Sequence, residues 1–210
     1  MTSGRGRPTV AVMTILGVPS TGLTTSHLNG LRAGVLGAND GIVSVAAIVV
    51  GVAAATDSLT ALVMAGVAGL SAGALSMASG EYVSVSSQRD AERAMLHAGR
   101  TVGDAGGPAM TDAEHGDDTD LVNPWQAAWS SFFAFVVGGL LPLAAVLVVP
   151  AGARVPVTFA AVVLALALTG WVSARLGGAR VLPAVRRNVL GGALAMAVTY
   201  GVGALVGVAL

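Results

Sequence analysis

The sequence predicts an all-α membrane protein with five transmembrane helices, the N-terminus cytoplasmic and the C-terminus outside. Three observations carry this. Of the 210 residues, 54% are hydrophobic and only 10% charged, against about 25% charged in an average soluble domain. A fold of this size has too little interior to hide so much apolar surface from water, so lipid must be its solvent. Five stretches, about residues 32–55, 59–87, 126–149, 156–176 and 188–210, each reach the roughly 20 apolar residues that a helix needs to cross a bilayer. They are continuously apolar rather than alternating, which argues against a transmembrane β-barrel.

Residues 1–26 come first. Arg5 and Arg7 precede "TVAVMTILGV", which resembles the charged and apolar parts of a signal peptide. Ten apolar residues are too few to span, and cleavage would start the first span from the outside. A flexible cytoplasmic extension is expected instead, followed by one five-helix membrane domain over residues 27–210. Orientation follows from the 11 basic residues, all of them arginines. With the N-terminus inside, only Arg154 falls outside. Arg5, Arg7, Arg32, Arg89, Arg93, Arg100, Arg175, Arg180, Arg186 and Arg187 are all cytoplasmic, as the positive-inside rule demands.

The first span contains "GANDGIVSV". Asn-Asp-Gly reads as a hairpin turn in a soluble protein, but here it lies within an apolar run. Asp40 sits about 13 Å from the cytoplasmic end at 1.5 Å per residue. An aspartate near a helix centre costs about 2.5–3.5 kcal/mol on insertion scales, so a partner, a cavity or an ion is expected beside it. Protonation of Asp40, or bonding to Asn39 and Ser44 as helix glue, is the bland alternative.

The second span carries Gly66, Gly69, Gly73, Ser76 and Gly80 as one small-residue face, and the first carries Gly30, Gly34, Gly37 and Gly41. Such faces permit close backbone approach. The expectation is that these two spans, or two protomers, pack through them. Beside the second face run Met77, Glu81, Ser84 and Gln88. Met77 and Glu81 fall about 16 Å and 10 Å from the cytoplasmic end, in the layer of Asp40. Snorkelling, or pairing of Glu81 with Arg89 or Arg93, is the competing reading. Two carboxylates with a thioether suit Fe²⁺ or Mn²⁺ better than Mg²⁺ or Ca²⁺. The same carboxylates take protons when the metal leaves, which is what an antiporter requires.

Residues 99–123 form the long polar segment and are expected to be a cytoplasmic loop. Its Asp112, Glu114, His115, Asp117, Asp118 and Asp120 lack the spacing of an EF-hand. The third, fourth and fifth spans are rich in Gly and Ala and carry no further intramembrane carboxylate. The chain contains no cysteine, which excludes disulfides and thiolate metal sites. The arginines are spread over loops rather than gathered on one face, so nucleic-acid binding has no support.

At Asp40 and Met77 the sequence resembles the vacuolar iron transporter family. The stretches that carry this are "LRAGVLGANDGIVSV", "AGLSAGALSMASGEYVSVSSQRDAE" and, more loosely, "FVVGGLLPL" and "RNVLGGALAMAV". With the five-span layout the resemblance covers about residues 27–210. It implies a homodimer that exports Fe²⁺, and often Mn²⁺, from the cytoplasm in exchange for protons through a site at the dimer interface. The family's transport aspartate matches Asp40 and its second-span methionine matches Met77. Plant iron transporters of the family carry a glutamate eight residues before that methionine, where this chain has Gly69. They also insert a glutamate-rich metal-binding domain between spans two and three, where only about 36 residues stand here. The chain therefore resembles the shorter, nodulin-like branch, and Glu81 is the candidate second carboxylate. The metal ligands expected are Asp40, Met77 and Glu81. The metal is a transported substrate, with no bound cofactor, and the expected location is the plasma membrane of a bacterium.

Two other functions compete with export. Gly69-Leu70-Ser71-Ala72-Gly73 satisfies the G-x-S-x-G pattern of a hydrolase, which requires a strand–turn–helix elbow and a nearby base. Its mid-span position, with His27, His97 and His115 outside the spans, argues against an enzyme. A non-transporting metal sensor or interaction protein is the remaining alternative.

Overall fold

A computed structural model describes residues 25–104 and 122–209. Each predicted span falls on one helix, to within a residue at its ends over the described residues: α1 (Thr25–Ala55), α2 (Leu59–Asp104), α3 (Pro124–Val148), α4 (Arg154–Leu176) and α5 (Val181–Ala209). All five are long and apolar enough to cross a membrane. Among the described residues there is no strand.

The helices overrun the apolar stretches at several ends. α2 is the clearest case, continuing beyond residue 87 through "QRDAERAML" to Asp104. That segment is polar but built of good helix formers, namely Ala, Glu, Arg, Gln and Met. Hydropathy marks where the lipid ends, not where the helix ends. The polar connection expected from residue 99 therefore starts later, and its acidic cluster at 112–120 lies outside the described residues. So does the N-terminal extension up to residue 24.

Short polar residues set the helix ends. Ser58 Oγ accepts a hydrogen bond from the Ala61 amide at 3.3 Å, capping α2. The Asn123 side chain accepts from the Trp125 and Gln126 amides at 3.1 and 3.3 Å, and Pro124 stands in the first turn, where a missing N–H costs nothing. α4 stops at Gly177, and Gly178 takes a φ of +63°, a turn that glycine makes without strain.

α1 is the central helix and touches each of the other four. One side of it, through Ile42, Ala46 and Val50, packs on Val162 and Leu166 of α4 and Met196 of α5. Val45 and Val49 on the other side pack with Leu62 and Ala74 of α2 and Phe135, Leu143 and Val146 of α3. α2 lies at the periphery and leans on α1 and α3. Of its apolar stretch 17% is buried within the chain, against 39% for α1 and for α3.

The glycine row of α1 does not meet the glycines of α2, as expected from sequence; it meets α3. A Cβ on Gly37 would lie 2.5 Å from the Ser131 carbonyl oxygen, and one on Gly41 would overlap the carbonyl oxygen of Phe135. From the other side, Gly138 lies as closely against the Ala38 carbonyl. The glycines of α2 take side chains instead, with Leu143 over Gly66, Ile48 over Gly69 and the Phe135 ring over Gly73.

The two ends of the bundle differ. Arg32, Arg175, Arg180, Arg186 and Arg187 gather at one end by the alternation of the helices. Trp125, Trp129 and Trp171 stand at the same end, and the Arg175 guanidinium lies 5.5 Å over the Trp171 ring. Indole rings at this level are typical of a membrane–water interface. At the far end Arg154 donates to two carbonyls, to Val149 O at 3.2 Å and to Asp57 O at 3.1 Å. It thereby ties the α3–α4 turn to the α1–α2 turn.

Candidate functional site

Two stripes of four-residue spacing face each other where α1 and α2 run antiparallel. Residues four apart share one face of a helix, so α1 presents Arg32, Leu36, Asp40 and Ser44 in line. From α2 come Gly73, Met77 and Glu81, flanked by Ser76, Gly80 and Ser84. Between the stripes lies a recess of ≈ 260 Å³ lined by these α1 and α2 residues from Leu36 onward, together with Phe135 of α3. All three metal ligands expected from the sequence, Asp40, Met77 and Glu81, line this one recess.

Their environments differ. Asp40 is half-buried and accepts a hydrogen bond from Ser44 Oγ at 3.1 Å, one turn along its own helix. Asn39, the other expected partner, makes no such bond, and its Oδ1 is buried without a partner. Met77 is half-buried against the cluster formed by α1, α2 and α3. Glu81 is 6% exposed, and its Oε2 lies 3.2 Å from Arg32 Nη2. Arg89 and Arg93 are the pairing partners that its own helix would offer. Two and three turns along the same helix, they sit about 12 and 18 Å up the axis, whereas the antiparallel neighbour brings Arg32 alongside.

The recess has a shallow end and a deep end. Tyr82, next to Glu81, packs its ring against Trp125 at 4.8 Å between centroids, so Glu81 and Arg32 stand at the tryptophan level. Asp40 lies two turns along α1 from Arg32, about 12 Å by helical rise; with Ile48 over Gly69 and Val49 beside Gly66, Glu81 itself falls opposite Leu36, about 6 Å from the level of Asp40.

Other expected residues lie apart from the recess. Gly69 is not part of its lining; it sits two turns beyond Met77 on the side away from Glu81. Gln88 turns outward and donates to Glu92 at 3.0 Å. The G-x-S-x-G stretch is unbroken helix with Ser71 exposed, not the strained elbow that a serine nucleophile needs. Leu36 and Phe135 carry no sequence signal, because an apolar residue that lines a recess reads the same as one that packs a core. Arg32 was visible only as a topology signal.

Among the described residues no three His, Cys, Asp or Glu side chains come together. One chain therefore offers a cation two carboxylates, one thioether and the hydroxyls of Ser44, Ser76 and Ser84. Carboxylates alone would suit hard cations, and the thioether shifts preference towards softer transition metals.

The VIT family profile matches residues 31–104 and 103–204 of the chain. The rice protein named vacuolar iron transporter homolog 1 (Oryza sativa subsp. japonica) is 48% identical over 82% of this chain and 72% of its own length. Vacuolar iron transporter homolog 4 of Arabidopsis thaliana is 43% identical, covering 84% of each chain. A soybean protein named VIT-like transporter 1b (Glycine max) is 42% identical over 84% of this chain and 76% of its own.

Proposed function

The chain belongs to the VIT family, and from that premise we propose that it exports Fe²⁺ or Mn²⁺ from the cytoplasm in exchange for protons. The observation that carries the proposal is the convergence of Asp40, Met77 and Glu81 on one recess within membrane-spanning helices. Asp40 and Glu81 supply the charge that draws a divalent cation out of water. Met77 favours a transition metal over Ca²⁺ or Mg²⁺. The vacated Asp40 carboxylate carries a proton back, which couples metal movement to a pH gradient.

The proposal includes a homodimer with the recess at its interface. In support, the recess is walled mainly by two helices, and the face of α2 beside it exposes Ser76, Gly80 and Ser84 at four-residue spacing. A row of small and hydroxyl-bearing residues suits another helix better than lipid. The arginine-rich end is taken as cytoplasmic. The expectation of a bacterial plasma membrane finds no support in relatives whose names say vacuolar and whose sources are plants. Export away from the cytoplasm has the same direction in either membrane, so the proposal is framed by that face.

Purified protein in proteoliposomes, given Fe²⁺, Mn²⁺ and Co²⁺ in turn under an imposed pH gradient, tests this reading. Metal movement that depends on the gradient and is lost in Asp40→Ala is expected. Absence of metal movement by the wild-type protein would overturn it.

A further inference from the structure

The Arg32–Glu81 pair has an asymmetry that the transport reading leaves unused. Glu81 is 6% exposed while Arg32 is 55% exposed. A buried carboxylate without a positive partner is strongly disfavoured, so Glu81 always requires some cation. An arginine more than half in water loses little by letting go. Arg32 also has a second anchor outside the recess, since its Nε donates to Asn29 Oδ1 at 3.4 Å. The pair stands at the shallow, tryptophan-level end, between the bundle end and Asp40.

We propose that Arg32 is a built-in competitor for the transported cation: it holds Glu81 while the recess is empty and yields it when a divalent metal arrives. The inference rests on the export reading and names the residue that tunes that site. Arg32 touches the metal at no point; it acts through Glu81 as a positioning residue. Its presence lowers the net negative charge of the recess by one. Metal affinity is thereby weakened, and the returning guanidinium helps to expel the ion. A divalent ion that also engages Asp40 displaces the guanidinium more readily than a monovalent one, which adds discrimination at the entrance.

The test compares wild type, Arg32→Gln, Arg32→Lys, Glu81→Gln and the double variant Arg32→Gln/Glu81→Gln. Mn²⁺ binding to the detergent-solubilised proteins is read from the free-Mn²⁺ paramagnetic resonance signal, and Mn²⁺ transport is read in proteoliposomes. Arg32→Gln is expected to bind Mn²⁺ about tenfold more tightly, the order of effect of an outer-shell partner. It should also show a lower KM together with a lower kcat. Arg32→Lys, which keeps the charge, should lie near wild type. Once Glu81 is neutral, removing Arg32 should change Mn²⁺ affinity no further, because the two act as one unit. Should Arg32→Gln not fold, the comparison of Glu81→Gln with the double variant carries the test alone. A difference in affinity between those two overturns the inference. So does a wild-type Kd and KM in a folded Arg32→Gln. A wild-type protein that neither binds nor moves Mn²⁺ instead overturns the export reading, and this inference with it.

Discussion

A Cβ added at Gly41 would run into the backbone of Phe135, whereas one added at Gly80 would meet nothing within 4 Å. Those two glycines represent the two long seams of the molecule. Along α1–α3, glycine brings two main chains into contact at Gly37, Gly41 and Gly138, leaving no room for a side chain or an ion. Along α1–α2, the same class of small residue leaves a recess that holds two carboxylates and a thioether. Small residues are thus adhesive where the opposing helix also closes in. Where it does not, they leave space, and polar groups fill the margin. The tight seam provides the fixed wall against which the loose one can accommodate a guest.

The largest effect should come from closing the tight seam to its fit. Gly41→Leu is expected to prevent recovery of a folded, monodisperse protein. Gly41→Ala should destabilise by about 1–3 kcal/mol or more, the range for overpacking, seen as earlier thermal unfolding in detergent. The loose seam should respond in function instead of stability. Asp40→Ala should cut gradient-driven Fe²⁺ or Mn²⁺ movement at least about 10–100-fold, the cost of losing even an outer-shell partner, while thermal unfolding stays close to wild type. Glu81→Gln should weaken Mn²⁺ binding and yet change stability by less than about 1 kcal/mol, because the exposed Arg32 simply returns to water; denaturation in detergent reads the second quantity. Gly80→Ala should be the mildest, within about 0.5 kcal/mol for the folded chain. Its expected effect is on association, as a smaller dimer fraction counted by single-molecule photobleaching. A Gly80→Ala as damaging as Gly41→Ala would erase the contrast between the seams.

Much of the architecture was legible in the sequence, because lipid imposes a length and a polarity that apolar runs display directly. The recess was legible in outline too: a carboxylate in an apolar helix is conspicuous, and Met77 and Glu81 lie four residues apart on one face. What escaped was pairing between helices. The row from Gly30 to Gly41 announces that some backbone comes close, but the same row would serve α2, α3 or a second copy, and nothing in its spacing distinguishes them. For Glu81, spacing points only to arginines of its own helix, since a register between antiparallel helices is set by packing and not by spacing. The continuation of α2 to Asp104 was hidden because helix propensity persists after hydropathy has fallen.

The Arg154 clasp has a mechanical consequence. By tying the α1–α2 turn to the α3–α4 turn, it fixes the far end of the bundle, about which any tilt of α2 would act as a lever. Glu81 lies 22 residues from the start of that lever, about 33 Å, and Met77 about 27 Å. A tilt of about 5° therefore carries Glu81 through roughly 3 Å, a hydrogen-bond length, while residues beside the pivot hardly move. A small tilt of α2 would thus be magnified where the buried carboxylate meets its arginine.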